Sequence, residues 1–212
     1  MRLAIFTVFL APALLALTGC TGLPTVAGPS AGASAAPGSA REQLATLTVG
    51  GPHAMRGYSR ARFPLWIDQG GGCNTRDVVL RRQGRDVTAT ATCKITHGTW
   101  ISPYDNKTFT DPQKVEIDHL VPLADAWRSG ADTWTETRRQ DFANDLTRPQ
   151  LIAVSSTTNR AKGDQDPSRW KPPNQDFWCQ YAEDWIAVKQ YWALTVTAAE
   201  KVALTEMLGT CP

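Results

Sequence analysis

The chain has 212 residues, with 22 lysines and arginines against 20 aspartates and glutamates, for a formal net charge of +2. That balance excludes a protein held to nucleic acid or to an anionic membrane by bulk charge alone. Charge is instead gathered locally: Arg76, Arg81, Arg82 and Arg85 face a single Asp77, and Arg160, Lys162, Arg169 and Lys171 form a second basic cluster.

At the start of the chain, Arg2 precedes an apolar run interrupted by Pro12. The run is too short for a spanning helix and fits the apolar part of an export signal, residues 1–19. It ends in Leu17-Thr18-Gly19-Cys20, which resembles the lipobox of bacterial lipoproteins, with Cys20 as the lipid-modified residue after cleavage. An ordinary secretory signal is the alternative. Residues 21–40 are small, uncharged and rich in Gly, Ser, Ala and Pro, so residues 20–40 read as a lipidated cysteine and flexible tether. Residues 41–212 then form one domain, and no later segment is apolar enough to span a bilayer.

With Cys20 assigned to lipid, Cys73, Cys93, Cys179 and Cys211 remain, an even set in an exported chain. Three pairings are possible. Cys73–Cys93 and Cys179–Cys211 are favoured because each closes one local unit. A zinc site is disfavoured, since no C-x-x-C pair or suitably spaced histidine accompanies them.

Residues 56–66 mix aromatics with arginines and read as a segment that pins the N-terminal part onto the core. Thr75–Arg82 reads as a short helix and 87–95 (VTATATCKI) as a half-buried strand, followed by a further strand from His97 and a turn at 102–106. Lys107–Thr110 and Lys114–Leu120 read as extended segments converging on Asp118 and His119. Beyond Pro122 the spacing becomes helical at Leu123, Ala126 and Trp127, with Gly130 as a stop. A second helix over 135–146 opens at Thr135-Glu136, and 151–154 is a short buried strand. Tyr181, Trp185, Val188 and Trp192 share one helix face, and Thr197–Glu200 has the spacing of a capping box for a last helix ending at Gly209.

Residues 116–123 read EIDHLVPL, and some forty residues later 159–164 read NRAKGD. Together they resemble the HNH endonuclease superfamily, in detail its exported actinobacterial-type members. The intervening DAWRSGADTW, FANDL and LIAVSSTTN, the downstream WKPP, the GCNTR at 72–76 and the cysteine-bearing C-terminal helices extend the resemblance over nearly the whole mature domain. The resemblance implies a ββα-metal core: an Asp-His pair ends a strand, an Asn opens a later helix, and one divalent ion sits between them. It implies His119 as general base, with Asp118 and Asn159 as metal ligands. Chemistry supports those types, because imidazole titrates near neutral pH and can take a proton from water. Hard oxygen ligands favour Mg²⁺ or Mn²⁺, with water and substrate completing the shell. Lys162 and Arg160 are candidates to hold the phosphate backbone. Arg76 is either a further phosphate contact or a structural partner. Glu116 is either a support for the site or an exposed strand residue. Asp164 either positions Lys162 or caps a turn. Asn144 falls in the region that faces the site in related proteins and is a candidate to orient His119.

Two features depart from this pattern. Many HNH enzymes carry a middle Asn shortly before the second strand, where this chain reads Thr147-Arg148-Pro149-Gln150. Asp118 and His119 are neighbours, and on a regular strand their side chains face opposite ways, so the strand must end or bulge there. The expectation is therefore an α+β protein with an HNH core, disulfide-stabilised, with C-terminal helices. It is expected to hydrolyse DNA, with RNA as the alternative, with little sequence preference, outside the cell and without an obligate protein partner. The alternatives are a surface lipoprotein that binds nucleic acid without cleaving it, and a structural envelope lipoprotein.

Overall fold

The computed structural model describes residues 39–212, so the expected signal, Cys20 and most of the tether lie outside the described residues. Helix α1 (Ala40–Thr46) opens in a capping box, with Ser39 Oγ accepting from Glu42 N and the Glu42 carboxylate accepting from Ser39 N. Asn74 and Asp77 do the same for α2 (Thr75–Gln83). Strands β1 (Arg85–Ala89), β2 (Ile95–Ile101) and β3 (Thr108–Phe109) form an antiparallel sheet in that order. The expected single strand over 87–95 is therefore a hairpin. Thr90 N donates to Lys94 O at 2.9 Å, and Cys93 takes a positive φ of 66° at the turn. The alternating threonines there are exposed, Thr88 in β1 and Thr90 and Thr92 in the turn.

Strand β4 (Val115–His119) pairs antiparallel with β5 (Leu151–Ser155) in unbroken register, from Val115 opposite Ser155 to His119 opposite Leu151. Between them run α3 (Leu123–Arg128) and α4 (Glu136–Ala143). Thr135 caps α4 by accepting from Arg138 N, as its sequence suggests, but the helix stops at Ala143 instead of continuing to 146. Helix α5 (Ser156–Lys162) follows β5 without a loop and ends at Gly163, whose φ of 57° favours glycine. Two longer helices close the chain, α6 (Trp178–Trp192) and α7 (Ala198–Leu208), the latter opened by the expected Thr197–Glu200 capping box.

Two apolar clusters flank the β4–β5 ladder. Val115 and Ile117 of β4 and Leu151 and Ala153 of β5 pack with Val79, Leu80, Ile95 and Trp100. Strand alternation turns Glu116 and Asp118 to the opposite face, toward α5. The larger cluster gathers α1, α3, α4, α6 and α7 around Phe63, Tyr104, Phe142, Tyr181 and Trp185. The aromatic stripe of α6 is core, as its spacing implies.

A buried charge ties three helices together. Lys189 Nζ lies 2.9 Å from Asp125 of α3 and 2.7 Å from Glu200 of α7, and Trp185 Nε1 donates to the same Glu200 oxygen at 2.6 Å. Both disulfides take the expected pairing, Cys73–Cys93 and Cys179–Cys211. The result is a mixed helix-and-sheet domain with two covalent staples. Among the described residues, no helix is long and apolar enough to cross a membrane.

The Cys179–Cys211 bridge joins residues 32 apart and fastens α7 to the start of α6. Replacing both cysteines with serine should lower the unfolding free energy by about 3–4 kcal/mol, mainly through loop entropy of the unfolded chain. Urea midpoints of the two proteins check this, and equal midpoints would show that helix packing alone suffices.

Candidate active site

The end of β4 is where chemistry-bearing groups converge. A cleft of about 230 Å³ is lined by Asp118, His119, Asn159, Arg160, Tyr58 and Arg60, among others. Asp118 and His119 lie on opposite faces of a strand with no bulge between them, yet both border this cleft. The strand stops at His119, so the cleft wraps around its end. Pro122 three residues on begins the entry into α3.

His119 is buried, and its Nε2 lies 2.9 Å from the carbonyl oxygen of Ala143 at the end of α4. A carbonyl only accepts, so Nε2 carries the proton and Nδ1 is left with a free lone pair. Burial pushes the imidazole down to about 3, against the pull of the Ala143 bond, and the nearby charges of Arg60 and Lys162 push it the same way. The ring is neutral at physiological pH.

Asp118 is held by two partners on one oxygen. Tyr104 donates its hydroxyl to Oδ2 at 2.6 Å, and Lys162 Nζ lies 2.8 Å from the same atom. Lys162 is fully buried and also donates to the His119 carbonyl at 3.0 Å. Burial raises the Asp118 carboxyl, while Lys162 and Tyr104 pull it back toward the charged form; burial likewise lowers Lys162 against the pull of Asp118. Tyr104 stays protonated, raised well above its ordinary value by burial and by Asp118. The second oxygen, Oδ1, makes no hydrogen bond among the described residues.

Asn159 sits on the α5 face that covers β4. Its Nδ2 donates to Glu116 Oε2 at 2.8 Å, which fixes the amide so that Oδ1 is the free end. Glu116 Oε1 also lies 3.3 Å from Arg160, whose side chain is 79% exposed at the cleft mouth. Asp118 Oδ1 and Asn159 Oδ1 are the oxygens that could hold a divalent cation here. Among the described residues, the group of three potential metal-binding side chains is Cys179, Glu183 and Cys211, where the sulfurs are already joined. A cation in the cleft would therefore take its remaining ligands from water or substrate, as suits a hard ion such as Mg²⁺.

The remaining expected residues are placed differently. Lys162 does not reach the open cleft, so it cannot hold a phosphate backbone; it is the internal counter-charge of Asp118. Arg76 is a brace, donating from Nη2 to the carbonyls of Pro112 and Val115 at 2.9 and 2.8 Å. Asp164 pairs with Arg128 at 2.6 Å rather than with Lys162. Asn144 makes no hydrogen bond to His119, although its neighbour Ala143 does. In the stretch where a middle Asn is missing, Gln150 pins the turn after His119: its side chain accepts from Val121 N at 3.1 Å and donates to Val121 O at 2.9 Å. Tyr58, Arg60, Trp66 and Gln150 were not singled out by sequence. The one signal for the first three is the interleaving of arginines and aromatics in 56–66.

The depressed His119 has a consequence for stability. The unfolded chain takes up a proton near 6.5 and the folded chain only near 3, so stability is full above pH 6.5 and falls as pH drops toward 3. A His119→Gln variant should show a shallower acid limb in urea unfolding between pH 7 and pH 4. An unchanged limb would show that the imidazole is not buried neutral.

The family model described as GmrSD restriction endonucleases, C-terminal domain, matches residues 75–207, which run from the start of α2 to α7. A relative named "Uncharacterized secreted protein", from Arthroderma benhamiae, is 54% identical over 172 residues, covering 81% of this chain and 84% of its own. No solved structure matches. With more than half of its length inside that model, and Asp118, His119 and Asn159 all within the matched span, the chain belongs to the GmrSD restriction endonuclease C-terminal domain family.

Proposed function

We propose that this protein is an exported, metal-dependent endonuclease of the HNH type, with β4, β5 and α5 as its ββα-metal core. The observation that carries the reading is that His119, Asp118 and Asn159 line one cleft, with His119 Nδ1, Asp118 Oδ1 and Asn159 Oδ1 each left without a hydrogen-bond partner among the described residues. Membership in a family named for endonucleases supports the reaction class.

In this reading His119 Nδ1 accepts the proton of the attacking water. An imidazole that is neutral at every physiological pH always offers its lone pair, and the arriving phosphate charge favours the imidazolium as it forms. Arg60 and Arg160 at the cleft mouth hold the phosphodiester by charge-assisted contacts. A divalent ion, Mg²⁺ or Mn²⁺, held by Asp118 and Asn159 would neutralise charge on the phosphate and the leaving oxygen. Glu116 keeps the Asn159 amide turned the right way, and Gln150 keeps the turn after His119 in place. The substrate is DNA or RNA, contacted through its backbone, with no obligate protein partner.

The test is plasmid degradation by the purified protein with Mg²⁺, with Mn²⁺ and with EDTA, beside a folded His119→Ala variant. Metal-dependent nicking that falls by about 100-fold or more in the variant is expected. Cleavage that survives the substitution would remove His119 as the base. Salt-sensitive binding without cleavage under any metal would favour the non-cleaving surface protein instead.

Export and anchoring rest on the apolar run and Leu17-Thr18-Gly19-Cys20, and on the name of the secreted relative. In a bacterial host, Cys20→Ser is expected to move the protein from the membrane fraction to the soluble fraction. An unchanged membrane fraction would rule out the lipid as its attachment.

A further inference from the structure

The imidazole of His119 is held from two directions by one dipeptide. Ala143 accepts its Nε2 proton at 2.9 Å. The next residue, Asn144, is buried and spends its side chain on a segment far away in sequence. Its Nδ2 donates to Pro64 O at 2.7 Å, and its Oδ1 accepts from Ile67 N at 3.2 Å and from Thr75 Oγ1 at 2.7 Å. Pro64 and Ile67 flank Leu65 and Trp66, and the Trp66 indole stacks on the His119 ring, with centroids 5.8 Å apart and planes inclined by 25°.

Trp66 has a backbone φ of 53°, a left-handed conformation that a bulky side chain seldom adopts. It persists because the chain is fastened on both sides of it, a pattern found where surrounding structure overrides local preference. Thr75 N also donates to Ile67 O at 3.1 Å, so the first residue of α2 secures the same segment. One hydrogen bond at one ring nitrogen lets an imidazole swing about that contact. A flat face laid against the ring removes that freedom.

We propose that Trp66 is a positioning residue for His119: its indole fixes the imidazole plane so that Nδ1 stays turned to the cleft, and Asn144 holds Trp66 where it must lie. The effect on turnover rests on His119 being the base of the proposed nuclease; the effect on the ring does not. A Trp66 that merely filled space would be replaceable by any apolar side chain of useful size.

The test compares Trp66→Phe, which keeps a flat ring, with Trp66→Leu, which keeps apolar bulk alone. For Trp66→Leu, kcat should fall about 10- to 100-fold with KM unchanged, and Trp66→Phe should recover most of it. The ring itself is read from ¹⁵N spectra at neutral pH, where the three histidines give few signals. In all three proteins His119 should stay protonated at Nε2, because Ala143 holds that proton, while ring relaxation should report a rigid imidazole in the wild type and in Trp66→Phe and a mobile one in Trp66→Leu. Wild-type kcat in Trp66→Leu, a loss carried wholly by KM, or an unaltered mobility of the His119 ring would overturn the proposal. If the wild type cleaves nothing, the nuclease reading fails, and the ring spectra still decide what Trp66 does.

Discussion

The ammonium of Lys162 is the point from which the site is laid out. It is wholly buried, ion-paired to Asp118 Oδ2 at 2.8 Å and bonded to the backbone of His119 at 3.0 Å. A buried pair of this kind is a poor source of net stability, since apolar residues of similar volume often serve as well, whereas removing one partner costs about 3–5 kcal/mol. What it does provide is registry. Lys162 belongs to α5, and Asp118 and His119 belong to β4, so one cation sets the helix that carries Asn159 against the strand that carries the other two groups. It also leaves Asp118 with one oxygen committed and one free.

Around that point the chain is braced by means suited to an oxidising environment. The three-stranded sheet is small, and β1 is mostly exposed. The Cys73–Cys93 bridge ties its hairpin turn to the start of α2, which is bonded through Thr75 to Ile67 and Asn144. The same local network thus reaches from a disulfide to the ring that covers His119. On the other side, Lys189 joins α3, α6 and α7 through a second buried charge cluster. The β4–β5 ladder is held between two separately stapled apolar clusters.

Much of this was legible in the sequence because it depends on neighbours. Capping residues, the α6 stripe, the cysteine pairing and the two motifs are all local patterns, and the structure reproduces the first three directly. The direction of Lys162 was not read, although a signal existed. Asn159 and Lys162 are three residues apart on one helix, so they share a face, and a helix that turns Asn159 to β4 must turn Lys162 inward as well. Lysine is usually exposed, so composition points the other way from that spacing. Trp66, Tyr58 and Arg60 lie more than fifty residues before His119, and no periodicity links them to it. Gln150 lies in the stretch without a middle Asn, and nothing in its local pattern marks it as the residue that bonds Val121 on both backbone groups.

If the protein acts on nucleic acid as proposed, the distribution of charge accounts for how a nearly neutral chain would meet a polyanion. Two of the cations visible in sequence are spent internally, Lys162 on Asp118 and Arg76 on backbone carbonyls. What remains at the cleft is an exposed Arg60 and Arg160, the latter leaning on Glu116. A cleft of about 230 Å³ is smaller than the usual range for a pocket that swallows a drug-sized ligand. It suits a phosphodiester passing its mouth better than a base inserted into it. In the nuclease reading such a site would take its affinity from a few backbone contacts, which are blind to sequence and weakened by salt. Selectivity would then come from which backbone can bend to the end of β4, a matter of shape rather than of base edges.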